Sequence, residues 1–260
     1  MNDVQLKALL DGLYFVYNRR ELVRPDPLVF LYDYENLRDR EIVGLIASSL
    51  AYGRVAQILK SVQTILTLMG SHPRRFLERR ASSLKNLLGD FRHRFTRGEQ
   101  VAALLERTAE VLRSQGSLEA FMGDCVQKGG GLLEGLNLFS RTLEPKRPGF
   151  SLLTAPEDGS ACKRLLLWLK WMVRRDEVDP GGWTVLSPRD LLMPTDTHIH
   201  RIALRFGLTN RRQADLRTVL EITRGFAALY PQDPTRCDFV LSRFGIRSGL
   251  SIDDLPLPSD

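Results

Sequence analysis

The chain has 260 residues, a formal net charge of +6, and 43% hydrophobic and 26% charged residues. This is the make-up of a soluble globular protein, long enough for one large domain or two small lobes around a substantial core. The surplus of Lys and Arg suits a polyanionic partner, while three cysteines (Cys125, Cys162, Cys237) without a CxxC pair exclude a zinc knuckle or an iron–sulfur ligand run.

So few thiols, odd in number, fit a reducing compartment. The opening stretch MNDVQLKALLDGLYFVYNRREL carries charges throughout, unlike a signal peptide, and no apolar run is long enough to cross a bilayer. A cytoplasmic monomer with no membrane partner is expected.

Residues 4–17 repeat Leu6, Leu9, Leu10, Leu13, Phe15 and Val16 at helical spacing, and Pro25 and Pro27 forbid its continuation. Residues 28–34 read as a short helix or an extended link. Asp39 is the expected N-cap of the next helix, whose buried face holds Ile42, Val43, Leu45, Ile46 and Leu50. It stops at Tyr52-Gly53-Arg54, and a further helix is predicted over 55–69 with Gly70 as its stop. Tyr52 and Arg54 therefore stand at a tight corner. They form either an ordinary packed αα-corner or an exposed wedge that can enter a duplex.

Helical periodicity is expected to continue over 72–143, with strong basic decoration. Phe91 and Phe95 flank Arg92-His93-Arg94, an interleaving of aromatics and cations that suits phosphate contact with stacking. A solvated basic face with its phenylalanines in the core is the alternative. The run Lys128-Gly129-Gly130-Gly131 lacks the Gly-Lys-Ser/Thr ending of a phosphate loop and reads as a turn. Residues 145–159, with Pro145, Pro148, Gly149 and Pro156, form a linker. Period-two alternation is lacking, so the expected fold class is all-α.

A helix over about 161–175 follows, apolar almost all round and hence central: Leu165, Leu166, Trp168, Leu169, Trp171 and Met172. The small-residue turn Gly159-Ser160-Ala161 before it would let backbone amides approach an anion. Lys163, at the helix start beside Leu and Trp, is a candidate amine nucleophile or a plain phosphate contact. Asp196 precedes a second amphipathic helix, where it is either an N-cap or a carboxylate placed for catalysis. His198 and His200 do not share a helix face, so no metal site is expected.

The segment Met193-Pro194-Thr195-Asp196-Thr197-His198-Ile199-His200-Arg201-Ile202 resembles the V-D-T-H-[IV]-x-R-[VI] signature of the helix-hairpin-helix DNA glycosylases, the endonuclease III superfamily. Gly159-Ser160-Ala161-Cys162-Lys163-Arg164 resembles their hairpin L-P-G-V-G-R-K-T, and Ile46 to Tyr52 resembles L-I-A-x-x-L-S-A-Q. Cys237 to Gly245 resembles the segment just before the cluster cysteines, although no such cysteines follow here. Within the superfamily the chain is most similar to an uncharacterised bacterial family catalogued as domain of unknown function 2400.

The resemblance implies an all-α, two-lobed fold with a cleft between lobes and no iron–sulfur cluster. It implies one compact unit over 1–260, with a central lobe over 39–195 that holds a hairpin near 156–164. Residues 1–38 and 196–260 would make a terminal lobe. It further implies a base-excision DNA glycosylase, with or without AP-lyase activity, acting on a flipped damaged base. Asp196 and Lys163 would be catalytic; Tyr52, Arg54, Gly159, Ser160, Ala161, His198 and Arg201 would touch nucleic acid. The partner would be damaged double-stranded DNA, with no cofactor and no metal. A non-catalytic DNA-binding protein on the same scaffold is the alternative.

Overall fold

The computed structural model describes residues 2–145, 150–246 and 249–255, so Pro148 and Gly149 of the linker lie outside the described residues. The chain is mostly helical. In order the elements are α1 (Asp3–Tyr17), α2 (Leu37–Ser49), α3 (Val55–Met69), α4 (Pro73–Arg80), α5 (Leu84–Leu87), β1 (Arg92–His93), β2 (Thr96–Arg97), α6 (Gly98–Gln115), α7 (Leu118–Gly129) and α8 (Leu132–Leu143), followed by α9 (Lys163–Val173), α10 (Thr197–Arg205), α11 (Leu216–Leu229) and α12 (Asp238–Ile246). Of the two forms expected for residues 28–34 the short helix is the one found: Pro27–Asp33 is a 3-10 helix capped by Asp26.

The chain divides into two compact units. The first comprises Met1–Leu22, Gly159–Gly181 and Leu186–Asp260; the second comprises Val23–Asp158 and Gly182–Val185. The first unit thus gathers α1 and α9–α12. Leu6 and Leu10 of α1 share a core with Ile199 and Ile202 of α10, Phe226 of α11 and Leu241 of α12. Burying each such side chain contributes roughly 1.5–3 kcal/mol.

The second unit is built around α2, which is buried along nearly its whole length. Asn36, not Asp39, caps it: its side-chain oxygen accepts the amides of Arg38 at 2.8 Å and Asp39 at 3.4 Å. Asp39 lies one turn inside and accepts the Arg74 amide at 2.8 Å. Glu41, fully buried, accepts the amides of Leu118 and Glu119 at the start of α7, the Trp183 indole N–H at 3.2 Å, and Arg38 at 3.3 Å. Burial pushes its carboxyl up; the backbone bonds and Arg38 pull against it. The glycine run does form the turn between α7 and α8, with Gly130 in the left-handed region as the C-cap. A side chain on Gly135 would strike Val126, so this helix pair needs backbone contact there.

The helical periodicity expected to continue over 72–143 is interrupted by the antiparallel pair β1–β2, with Arg92 opposite Arg97 and His93 opposite Thr96. Two-residue strands are too short to leave an alternating pattern in the sequence. The turn Arg94-Phe95 places an arginine at φ +50°, where a non-glycine residue is strained by about 1–2 kcal/mol. His93 holds the base of the hairpin: it is fully buried, with Nδ1 2.9 Å from the Ser61 hydroxyl and Nε2 3.1 Å from the Tyr52 carbonyl.

Candidate active site

Lys163 and Asp196 both belong to the first unit, and each is fixed by a helix start. Lys163 is the first residue of α9, which begins two residues later than its composition suggested. The turn that delivers it holds two left-handed residues, Gly159 at φ +72° and Cys162 at φ +48°. It is closed by its own side chains: the Ser160 hydroxyl accepts the Cys162 amide at 3.2 Å, and the Cys162 thiol donates to the Ser160 carbonyl at 3.3 Å. Ser160 also forms an isolated antiparallel bridge with Asp215, and the Leu216 amide donates to the Gly159 carbonyl at 3.0 Å. Asp215 caps α11 through the Thr218 amide and pairs with Arg211 at 2.6 Å, which together hold its carboxyl down at about 2. The starts of α9 and α11 are therefore tied to each other.

Asp196 is the N-cap of α10. Its Oδ1 accepts the amides of His198 and Ile199, both at 2.9 Å. Its Oδ2 lies 3.9 Å from Lys163 Nζ. The approach to it is pinned by two bonds at 3.0 Å, the Met193 amide on the Thr223 hydroxyl and the Thr195 hydroxyl on the Met193 carbonyl. The Lys163 and Asp196 side chains are 30% and 22% exposed, so a solute can reach both. An ion pair this long and this open contributes only about 0–1 kcal/mol. Chemically, the pair offers an amine that can attack an electrophilic carbon and a fixed carboxylate that can orient water or balance a developing cation.

A buried ionic network adjoins the pair. Lys170 and Arg174, four residues apart on α9, are both buried. Lys170 Nζ lies 2.9 and 3.0 Å from the Asp179 oxygens and 3.3 Å from Asp238. Arg174 pairs with Asp233 at 2.9 Å, with Asp176 at 3.0 Å, and with Asp179. Asp176 also accepts the Tyr14 hydroxyl at 2.8 Å and the Asn18 amide at 3.1 Å. Four carboxylates thus share two cations. Burial would depress the Lys170 ammonium, but Asp179 and Asp238 outweigh it and raise its pKa. Asp238 is pushed up to about 6: burial raises it most, Lys170 draws it down, and the charges of Asp196 and Asp179 raise it further. Asp238 is therefore within electrostatic reach of the candidate site. Asp176 goes the other way, to about 2, because Arg174 and its hydrogen bonds overcome its burial. A sequence signal for this network existed. Two cations at i and i+4 on an otherwise apolar helix, followed by Asp176 and Asp179, call for buried carboxylate partners.

The other candidate residues of the first unit lie on α10 and in the turn before α9. Arg201 is exposed. His198 is half-buried and packs so tightly on α12 that a side chain at Gly245 would collide with its ring. The His200 ring nitrogen Nε2 donates to the Arg211 carbonyl at 2.8 Å, so the two histidines serve different neighbours. Ala161 is half-buried and Gly159 exposed. Tyr52 and Arg54 belong to the second unit. Tyr52 is half-buried: its hydroxyl donates to the His93 carbonyl at 2.8 Å and lies 2.7 Å from the Thr96 hydroxyl, and its ring meets His93 and Phe150. These bonds make it a brace for the corner. Arg54, at the start of α3, is exposed.

A family model described as Protein of unknown function (DUF2400) matches residues 26–247, most of the chain. No curated protein and no solved structure matches it.

Proposed function

The chain belongs to the DUF2400 family, and from that premise we propose that its first unit carries a DNA N-glycosylase site of the helix-hairpin-helix superfamily. The single observation that carries this is the approach of Lys163 Nζ to Asp196 Oδ2 at 3.9 Å, with both side chains open to solute. The turn 159–162 supports it as the counterpart of the superfamily hairpin, with Cys162 in the second left-handed position in place of a glycine. A base within a duplex is out of reach, so the damaged nucleotide swings out before reaction. Asp196 then balances the oxocarbenium-like sugar and orients the nucleophile. That nucleophile is water, or Lys163 where strand cleavage follows base loss. Arg201 and the amides of the turn contact backbone phosphate.

The test is incubation of the purified chain with duplexes carrying uracil, hypoxanthine, alkylated and oxidised bases, with and without borohydride. Base release from one of them, lost in Asp196→Asn, is the expected result. A trapped adduct absent from Lys163→Gln assigns the lyase step. Release from none of the duplexes overturns the glycosylase assignment.

A second reading has its own support. Asp196 Oδ1 is fully engaged as a helix cap and the Ser160 hydroxyl accepts the Cys162 amide within its own turn, as a purely structural turn requires. On that reading the chain binds DNA without reaction. Salt-sensitive duplex binding that Asp196→Asn leaves unchanged, with no turnover, is its signature.

A further inference from the structure

The β1–β2 hairpin is built to present its tip. Only Arg94 and Cys162, among the described non-glycine residues, adopt a positive φ. A two-residue hairpin turn is served at least cost by Gly or Asn, yet here the left-handed position holds an arginine. The residues that alternate with the tip are locked inward. His93 and Thr96 are fully buried, and Tyr52 bonds to both the His93 carbonyl and the Thr96 hydroxyl. Gly53 leaves room for the Arg94 side chain, which a Cβ there would strike.

What this frame holds up is Phe95, 65% exposed, an unusual position for so large an apolar ring. The Arg94 guanidinium sits 5.4 Å from its centroid, and the Phe150 ring centroid lies 5.9 Å away. The hairpin sequence Arg-His-Arg-Phe-Thr-Arg carries three arginines and no acid, and Arg92 and Arg97 are both exposed. An exposed aromatic face held on a rigid base and ringed by cations matches the chemistry of an unpaired nucleobase with its flanking phosphates. An acidic protein surface would satisfy the arginines but leave the ring without a stacking partner.

We propose that the Arg94-Phe95 hairpin tip is a stacking platform for an unpaired base of nucleic acid, with Arg92 and Arg97 contacting the adjacent phosphates. This rests on the nucleic-acid half of the function proposed above and not on its chemistry. It also moves the aromatic contact from Tyr52, which braces the hairpin, to Phe95, which the hairpin displays.

The test uses the full chain and fluorescein-labelled oligothymidine, with a fully paired duplex for comparison. Phe95→Ala is expected to weaken oligothymidine binding about tenfold without altering the salt slope. Phe95→Trp is expected to bind as the wild type does and to lose fluorescence on binding, against Trp168, Trp171 and Trp183, all buried. Arg92→Gln and Arg97→Gln should each reduce the salt slope by about 0.7. Phe95 touches solvent, so its replacement leaves the fold intact. Unchanged affinity in Phe95→Ala, unquenched Phe95→Trp, or no binding of oligothymidine by the wild type overturns the proposal. Base release by the wild type alongside any of those results leaves the glycosylase reading standing. Loss of binding in Phe95→Ala without any base release leaves the platform standing and removes the chemistry.

Discussion

Asp196 divides its work between its two oxygens. One closes the first turn of α10 and the other faces Lys163. Cap and reactive carboxylate are therefore compatible roles, and Asp196→Asn keeps the capping oxygen while removing the charge. Asp238 gives a sharper expectation. Its carboxyl is raised to about 6, so its neutral form stabilises the fold fully below about pH 4. That contribution is lost as pH rises through about 6. Urea melts across this window should show a decline of roughly 2–3 kcal/mol attributable to Asp238, and Asp238→Asn should abolish it. An identical decline in the variant would contradict the assignment. Asp176 acts in the opposite sense, contributing above about pH 4 and failing as pH falls towards 2. Lys163 and Asp196 were legible in the sequence because each sits at a helix start that local composition marks. Asp238 was not, because its state is set first by its burial and then by Lys170, 68 positions away on another helix.

At the scale of elements, α9 is the helix on which the first unit depends. Its apolar stripe was plain in the sequence, and the two cations that break it, Lys170 and Arg174, are buried anchors. Removing Lys170 strands Asp179 and Asp238 in the interior. Lys170→Met should cost about 3–5 kcal/mol, seen as a lower urea midpoint with an unchanged slope. A loss under about 1 kcal/mol would mean the network is not anchored there. In α2 the apolar face was legible, but the cap was misassigned, since Asn36 and Asp39 are both good capping residues. Tertiary contact decides between them: Asn36 accepts the helix-start amides, and Asp39 is taken by the Arg74 amide. Glu41 was wholly illegible, because its partners at α7 and Trp183 come from distant sequence. Glu41→Ala would leave the buried Leu118 amide and the Trp183 N–H without their acceptor, and should destabilise by about 2–4 kcal/mol in the same urea assay. The hairpin escaped detection because it is fixed by His93 and Tyr52 rather than by its own alternation.

At the scale of the whole chain, the helical class followed from periodicity, whereas the grouping of segments did not. Residues 159–181 were placed by sequence with the central lobe, yet they cluster with both terminal segments. The tie runs through pairings no local pattern reveals: Ser160 with Asp215, Tyr14 with Asp176, and Lys170 with Asp238. Among the described residues no helix is long and apolar enough to cross a membrane. The net charge of +6 makes salt-sensitive association with a polyanion the expected whole-molecule behaviour. The central claim concerns chemistry rather than binding, and the two are separable. The deciding measurement is the single-turnover rate of base release from the preferred damaged duplex, set beside the Kd for that duplex, in wild type and Asp196→Asn. The account predicts a fall in rate of at least about 100-fold with a Kd within about threefold of wild type. An unchanged rate, or a loss explained wholly by weaker binding, would contradict it.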